Sequence, residues 1–411
     1  MLPIVNSDRF KVDFDTLAQI GSTGDGGVNR PALSEAHLEA RRWWVARAAE
    51  AGLETRVDGA GNHSAILRSS DPNARTLLLG SHTDSVPSGG RFDGALGVIA
   101  ALEALRTIRD SGITLPMHLE AIDFTDEEGT LVGLTGSGAL AGQLTAQSFE
   151  NPRGGRVAWE ASLARAGLTE AGILSARRDP RLLAGYLELH IEQGPRLFTA
   201  GVDIGVVSGI VGIESYRVTF RGEANHAGTT PMDARRDASL GASAFILAAR
   251  DLVMKSFAGC VVNAGQMALK PGAFNIIPGV AELSLEFRAP EPEQLAQLET
   301  ALLHLAGRVA SQYGLTLTAE PAGMCVPAPM SGRAQWAITA AAESLGLSHA
   351  TMPSGAGHDA MMLAPLTDAG MLFVPSRGGI SHSPLEFTEW RDCVNGANVL
   401  LRAALNMAIG Q

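Results

Sequence analysis

A histidine and two aspartates lie within one glycine-rich stretch, residues 80–97, with the sequence GSHTDSVPSGGRFDGALG. The apolar run Thr76–Leu79 precedes it and predicts a buried parallel strand that ends near His82. Because side chains two residues apart point the same way in an extended chain, we expect the Asp84 carboxylate to accept the proton of the second His82 ring nitrogen. The proline- and glycine-rich loop can then return Asp93 to His82. The alternative is a helix cap at Asp93 and a buried structural histidine.

Two adjacent glutamates follow a second predicted strand. Residues 117–124 are predicted to form this strand, and Asp126–Gly129, DEEG, come shortly after it. Adjacent acids at a strand end can point in different directions, so one can bind a cation while the other faces a water molecule. Glu127 and Glu128 are therefore candidates for a base and a ligand. An ordinary solvated acidic turn is the alternative.

Two further histidines lie at the ends of apolar runs. His190 closes the run 187–191, and His382 lies in a glycine-rich loop after the run 371–375. A lone histidine is more often structural than ligating. A strand followed by histidine or carboxylate occurs four times in this chain, however, and ligands of open α/β sheets gather at the carboxyl ends of the strands.

The candidate metal ligands contain nitrogen and oxygen but no thiolate: His82, Asp93, Glu128, His190 and His382. Such a set suits zinc, manganese, cobalt or nickel better than calcium or magnesium. Five ligands are too many for one open tetrahedral catalytic site. They fit two divalent ions that share a bridging carboxylate, an arrangement that activates water for hydrolysis.

The length of 411 residues favours two domains. Residues 211–325 contain strands of alternating polarity with helices between and after them, which predicts an inserted α/β unit with an antiparallel sheet. The segments 1–210 and 326–411 then form the two parts of the catalytic domain. The predicted fold class is α/β.

The composition, 45% hydrophobic and 18% charged, is that of an ordinary soluble protein. The net charge of -11 is spread along the chain, and no cluster of basic residues indicates a nucleic-acid partner. The N-terminal residues lack the pattern of a signal peptide, and no apolar run is long enough to span a membrane. Three distant cysteines argue against a disulfide framework. We therefore expect a cytoplasmic protein with neither membrane nor nucleic-acid partners.

Seven motifs in order, GSHTDSV, GGRFDGALG, DEEG, LHIEQGP, ANHAGTTPM, RRD and GISHSP, resemble the M20 family of di-metal amidohydrolases and peptidases. They are most similar to its hydantoinase/carbamoylase branch, which holds N-carbamoyl-L-amino acid hydrolases, allantoate amidohydrolases and β-ureidopropionases. The resemblance runs from about residue 15 to the C-terminus. It implies an aminopeptidase-like catalytic domain with a mixed sheet, and an inserted smaller α/β domain that serves as lid and dimerisation domain.

The resemblance also assigns roles at the metal site. It implies that His82 and His190 hold one metal ion, that Glu128 and His382 hold the other, and that Asp93 bridges them. A cis peptide bond often follows this aspartate in the family. Glu127 matches the general acid/base of the family.

Residues of the inserted domain distinguish the branch. The resemblance implies that His226 reaches the active site of a partner subunit and stabilises the oxyanion, which implies a homodimer. Asn275, in FNIIPG, matches a second contact of the lid domain with substrate. The remaining matches to the substrate-binding residues of the family are Gln193, Gly357 and His358.

Arg288 matches the arginine that binds the substrate carboxylate in the branch. A planar guanidinium suits bidentate binding of a carboxylate. The alternative is a surface cation that pairs with Glu286 or Glu282.

These features predict hydrolysis of the ureido C–N bond of an N-carbamoyl-L-amino acid to the amino acid, ammonia and carbon dioxide. Allantoate amidohydrolase and β-ureidopropionase are close alternatives, because the motif GAGHDA also occurs in the allantoate enzyme. A metallopeptidase and a non-catalytic ligand-binding protein are more distant alternatives. Glu127 argues against the last of these, since ligand binding alone needs no base beside the metals.

Overall fold

A computed structural model describes residues 3–409 of the chain. These residues form two compact units, one of which is Gly209–Ala328. The other unit comprises the segments that end at Ser208 and resume at Pro329. The insertion expected from the sequence spans 211–325.

Residues 3–409 contain thirteen strands and twelve α-helices, numbered in chain order. The strands are β1 (Glu54–Val57), β2 (His63–Leu67), β3 (Thr76–His82), β4 (His118–Phe124), β5 (Leu183–Ile191), β6 (Ile204–Ile210), β7 (Gly212–Arg221), β8 (Val261–Lys270), β9 (Val280–Ala289), β10 (Thr316–Cys325), β11 (Ala328–Pro329), β12 (His349–Ser354) and β13 (Ala369–Val374). The helices are α1 (Ser7–Gln19), α2 (Glu35–Glu50), α3 (Ala95–Asp110), α4 (Thr135–Ala141), α5 (Gly155–Ala166), α6 (Glu170–Ser175), α7 (Arg196–Ala200), α8 (Ala238–Ser256), α9 (Pro292–Gln312), α10 (Gly332–Ser344), α11 (Asp359–Leu363) and α12 (Trp390–Ile409).

A nine-stranded mixed sheet forms the larger unit, in the order β1-β2-β4-β3-β5-β13-β6-β11, with β12 paired to β6. Its four central strands, β4, β3, β5 and β13, are mutually parallel. Every residue of β4, β5 and β13 is buried, as expected for parallel strands covered on both faces. The carboxyl ends of these four strands therefore lie along one edge of the sheet, which confirms the predicted α/β class with a mixed sheet.

Helices α3 and α12 contribute to the core of the larger unit together with the strands. Side chains such as Val98, Leu102 and Leu400 belong to one apolar cluster with Leu79 and Leu187. Helix α2 begins after Ser34, whose side chain accepts a hydrogen bond from the backbone of His37. The strand predicted at 117–124 is fully buried from His118 onward, because it lies in the centre of the sheet.

The smaller unit is a four-stranded antiparallel sheet in the order β10-β7-β9-β8, with α8 and α9 packed against it. The predicted alternation is confirmed in β9, where Leu283, Leu285 and Phe287 are buried among more exposed neighbours. Strand β8 forms one edge of the sheet and is largely exposed.

The cis peptide bond found among residues 3–409 joins Lys270 to Pro271, so the bond after Asp93 is trans. Within the same residues, no helix combines the length and apolar character needed to cross a bilayer. The cytoplasmic location stays a prediction.

Candidate active site

Two groups of possible metal ligands lie at the carboxyl edge of the parallel strands. His82, Asp93 and His190 form the first group, and the second adds Glu128 and His382 to the same Asp93. Within each group the ligand atoms lie within 4.8 Å of one another. The structure thus brings together all five residues singled out in the sequence, with Asp93 common to both groups.

The two carboxylate oxygens of Asp93 face different groups. Its Oδ1 lies 3.1 Å from His190 Nε2 and 3.6 Å from His82 Nε2. Its Oδ2 lies 3.5 Å from His382 Nε2, which is in turn 3.4 Å from Glu128 Oε2. This division is the geometry that a carboxylate shared by two cations requires.

Backbone carbonyls orient the two buried histidines. His82 Nδ1 is 3.0 Å from the carbonyl oxygen of Asp84, and His190 Nδ1 is 2.9 Å from that of Ile191. A ring nitrogen that donates to a carbonyl leaves the other, Nε2, without a proton in the neutral ring. Both Nε2 atoms point toward Asp93, so each imidazole presents its basic nitrogen to the site.

The predicted role of the Asp84 carboxylate is wrong. Its Oδ1 is 3.7 Å from His82 Nδ1, whereas the backbone carbonyl of the same residue is closer. Strand β3 ends at His82, so the two-residue alternation no longer applies at residue 84. The carboxylate accepts hydrogen bonds from the backbone N–H groups of Glu127 and Glu128, at 3.3 and 3.2 Å. Asp84 therefore joins the ends of β3 and β4.

The side chain of Glu127 is 9% exposed and lies beside the first group without belonging to it. Its Oε2 lies 3.4 Å from His82 Nε2. Burial, then the nearby carboxylates of Asp359 and Glu128, raise the pKa of Glu127 well above its usual value. Burial and Asp93 similarly raise the pKa of Glu128 to about 10. This concentration of buried carboxylates is unfavourable unless positive charge lies among them.

The residues present fit two divalent cations. Nε2 of His82 is buried and has no hydrogen-bond partner within residues 3–409, an arrangement that is costly unless another ligand is bound there. Gly94 has φ +62°, and a Cβ at this position would overlap the His82 ring. Only glycine therefore lets the chain pass beside the imidazole. The nitrogen and oxygen donors suit zinc, manganese, cobalt or nickel.

Gln193 and His358 contact the ligand groups directly. Gln193 Nε2 donates to Asp93 Oδ2 at 2.7 Å. The His358 ring packs against the His190 ring with 4.5 Å between centroids, and its Nε2 is 2.9 Å from Ser354 Oγ. Burial, followed by the charge of His190, holds the pKa of His358 well below its usual value. Gly357, next to it, has open space where a side chain would lie.

The other three predicted site residues lie in the smaller unit. His226 is exposed, and its Nδ1 accepts hydrogen bonds from the backbone of Gly228 and Thr229 at 3.0 and 3.2 Å. Asn275 lies beside it, since its carbonyl oxygen accepts from the backbone of Ala227 at 3.0 Å. Their catalytic and substrate-binding roles stay predictions.

Arg288, on β9, binds an acidic neighbour. Its Nε and one terminal nitrogen donate to Glu286 Oε1 at 3.0 and 2.8 Å. Glu282 is instead bound by Lys270 at 2.9 Å. The pairing with Glu286 named in the alternative is therefore present, and carboxylate binding by Arg288 stays a prediction.

Sequence reasoning missed Arg41, which is 1% exposed on α2. Its guanidinium donates to the Phe124 carbonyl at 2.6 Å, to Thr125 Oγ1 at 2.9 Å and to Asp123 Oδ2 at 3.1 Å. These bonds hold the end of β4 immediately before Glu127. An arginine in a helix gives no sequence signal that it is buried.

Comparisons with known proteins agree with this geometry. Residues 78–406 match the model of "Peptidase family M20/M25/M40". The chain is 35% identical to an N-carbamoyl-L-amino acid amidohydrolase of Geobacillus stearothermophilus, over 99% of this chain and 100% of that protein. It is also 35% identical to an allantoate amidohydrolase of Bacillus subtilis (strain 168), over 93% of each chain.

A solved structure shares the whole fold. The crystal structure of a hydantoinase/carbamoylase family amidase from Burkholderia multivorans has a TM-score of 0.90 and 36% identity, over 98% of both chains. The chain therefore belongs to peptidase family M20/M25/M40, in its hydantoinase/carbamoylase branch, which confirms the resemblance seen in the motifs. It is a hydrolase of the amidohydrolase type.

Proposed function

We propose that the protein hydrolyses the ureido C–N bond of N-carbamoyl-L-amino acids and releases the amino acid, ammonia and carbon dioxide. One observation carries the proposal: Asp93 turns one oxygen to each ligand group, and Glu127 lies beside them without being a ligand. The names of the Geobacillus stearothermophilus and related proteins support the substrate class.

In this proposal each ligand group holds one divalent cation, zinc or else manganese, cobalt or nickel. Such cations, when bound, supply Lewis acidity that lowers the pKa of water and polarises a carbonyl oxygen. His82, His190 and Asp93 would hold the first ion. Asp93, Glu128 and His382 would hold the second.

Glu127 is the general acid/base. It takes a proton from the attacking water and passes that proton to the nitrogen that leaves the ureido carbon. The carbamate that remains decomposes to ammonia and carbon dioxide.

The remaining predicted residues recognise the substrate. Arg288 and Asn275 bind its carboxylate, and His226 of the partner subunit stabilises the oxyanion that forms on the carbamoyl oxygen. Around the reacting carbon, Gln193, Gly357 and His358 complete the proposed site. Closure of the smaller unit as a lid would exclude water during the reaction.

We also propose that the protein is a homodimer that associates through its smaller unit. Leu240, Leu247 and Met254 lie seven residues apart on α8 and are 42%, 69% and 72% exposed. This spacing places them along one face of the helix. Strand β8 adds an exposed sheet edge in the same unit. A second copy that covers the stripe and the edge would remove both from water.

Ammonia release from a panel of substrates tests the proposal. Chelated protein restored with zinc or manganese is assayed with N-carbamoyl-L-methionine, its D-enantiomer, N-carbamoyl-β-alanine, allantoate and a dipeptide. The proposal predicts preference for the L-α-carbamoyl amino acid. Cleavage of the dipeptide alone would contradict it.

Allantoate is the second candidate substrate. The relative from Bacillus subtilis, as similar as the carbamoyl hydrolases, supports it, and the GAGHDA motif at residues 355–360 also occurs in the allantoate enzyme. Preference for allantoate in the panel would keep the site chemistry and change the pathway that the enzyme serves.

A further inference from the structure

One buried carboxylate next to the candidate ligands belongs to neither ligand group. Glu386 is 3% exposed and follows His382 by four residues. Its Oε1 accepts hydrogen bonds from the backbone N–H groups of Phe92 and Asp93, at 2.9 and 3.1 Å. Its Oε2 is 2.8 Å from Ser381 Oγ. Glu386 thus connects two segments that are almost 300 residues apart in sequence.

Ser381 extends this connection to the side chain of Asp93. Its Oγ lies 3.1 Å from Asp93 Oδ2 as well as 2.8 Å from Glu386 Oε2. A hydroxyl has one proton and therefore donates to one of these carboxylates at a time. Glu386 thus ties the backbone of Asp93 to the loop that carries His382, and Ser381 ties its side chain to the same loop when its proton points to Oδ2.

The loop at residues 89–90 is shaped around the Glu386 carboxylate. A Cβ at Gly90 would overlap both carboxylate oxygens of Glu386. Gly90 is not among the residues with positive φ, so a larger residue is excluded there by the carboxylate and not by the backbone.

The two segments that Glu386 joins carry the ligands most in need of support. Asp93 is common to both ligand groups. His382 lies in a loop, has φ +54° and has a side chain that is 51% exposed. His82 and His190, in contrast, are buried residues of strands. A ligand on a loop keeps its geometry only if neighbouring groups hold it.

We propose that Glu386 is a positioning residue, which holds Asp93 and the His382 loop in the arrangement that both cations require. The inference rests on the proposed metal site and adds to it a residue that contacts no cation. Removal of such a partner commonly lowers metal affinity about 10- to 100-fold.

Two substitutions of Glu386 distinguish the effect of its hydrogen bonds on cation affinity from the effect of its negative charge. Glu386→Ala removes all three hydrogen bonds, and we expect affinity for the more weakly held cation to fall by about 10- to 100-fold. In Glu386→Gln the amide oxygen still accepts from Phe92 and Asp93, while the amide NH2 donates to Ser381, whose proton then goes to Asp93. We expect this variant to stay within about threefold of the wild type, since every hydrogen bond has a replacement.

Gly90→Ala provides an independent perturbation, because it displaces the carboxylate without removing it. We expect it to weaken cation binding in the same direction as Glu386→Ala. Glu389→Ala is the matched control: this carboxylate lies three residues further along, is 49% exposed and pairs with Arg377. It should leave cation binding unchanged.

The experiment is calorimetric titration of the chelated full-length proteins with Mn²⁺ and, separately, Zn²⁺, with circular dichroism to verify folding of each variant. Wild-type affinity in folded Glu386→Ala, or an equal loss in Glu389→Ala, would overturn the positioning role alone. Failure of the wild type to bind either ion would overturn the metal site itself. If Glu386→Ala does not fold, the comparison of Glu386→Gln with Gly90→Ala tests the role. Tight cation binding by Glu386→Gln together with weak cation binding by Gly90→Ala supports the positioning role. Equal cation affinity in these two variants refutes it.

Discussion

Replacement of Gly94 by alanine should destabilise the metal-free protein and weaken cation binding. Gly94 precedes α3 with φ +62° and ψ -50°, which lies outside the left-handed helical region, and such a sparsely populated conformation costs an alanine about 1–3 kcal/mol. The added Cβ would also overlap the His82 ring, which is 1% exposed and cannot move into solvent. Overpacking of this kind costs about 1–3 kcal/mol, so we expect a total loss of about 2–6 kcal/mol.

Gly112, just beyond the other end of the same helix, is a comparison site where a positive φ occurs without an overlapping neighbour. It has φ +66°, but no atom of the described residues lies within 4 Å of the position a Cβ would take. Gly112→Ala should therefore show the backbone cost alone, about 1–2 kcal/mol. Urea unfolding of both chelated variants, followed by Zn²⁺ titration, measures the difference. Equal unfolding free energies together with wild-type affinity in Gly94→Ala would refute the argument that glycine makes room for the ligand.

Four further predictions concern catalysis, recognition, assembly and pH. Glu127→Gln should lower ammonia release by about 10²- to 10⁴-fold while calorimetric cation binding persists. Arg288→Ala should raise KM for the carbamoyl amino acid about 10- to 100-fold with kcat little changed, because charge-assisted hydrogen bonds contribute about 1.5–3 kcal/mol. Leu247→Glu should convert the dimer to a monomer in light scattering, since a carboxylate cannot be buried in the apolar stripe. Burial, then the charge of Arg41, holds the pKa of His37 well below its usual value. Below about pH 6.5 the unfolded chain therefore binds one more proton than the folded protein, and the free energy of unfolding falls as the pH drops. His37→Gln should reduce this dependence of the unfolding free energy on pH, measured by urea unfolding, by up to about 1.4 kcal/mol per pH unit.

Matched controls accompany these variants. Lys270→Ala removes a positively charged side chain from the sheet that contains Arg288 and should leave KM unchanged. Val157→Glu alters an exposed apolar residue outside the apolar stripe of α8 and should leave the molar mass in light scattering unchanged. An unaltered KM in Arg288→Ala would refute its role in carboxylate binding. A monomeric wild type would refute the dimer proposal. If the unfolding free energy of His37→Gln depends on pH as it does in the wild type, this histidine takes up its proton in the folded protein as well.

The parallel strands and the candidate ligands that follow them were predicted well from the sequence, because each strand is a short apolar run with a histidine or carboxylate near its end. His82, His190 and Glu128 follow directly from that pattern. The alternating strand β9 was also recognisable from a local signal, its two-residue period.

Contacts between distant segments could not be predicted in this way. Arg41 and Glu386 act through hydrogen bonds to backbone groups far away in sequence, and no local pattern marks them. The error at Asp84 has a related cause, since the end of β3 changes which group of that residue faces His82. Local periodicity describes an element, whereas loop geometry depends on the packed fold.

The most direct test of the central claim is ammonia release from N-carbamoyl-L-methionine as a function of added cation. Chelated protein is titrated with zinc or manganese, and the rate is followed against equivalents per chain. The two ligand groups predict no activity without cation and a plateau near two equivalents. Full activity in the chelated protein, a plateau at one equivalent, or no ammonia at any loading would contradict a ureido hydrolase that uses two cations.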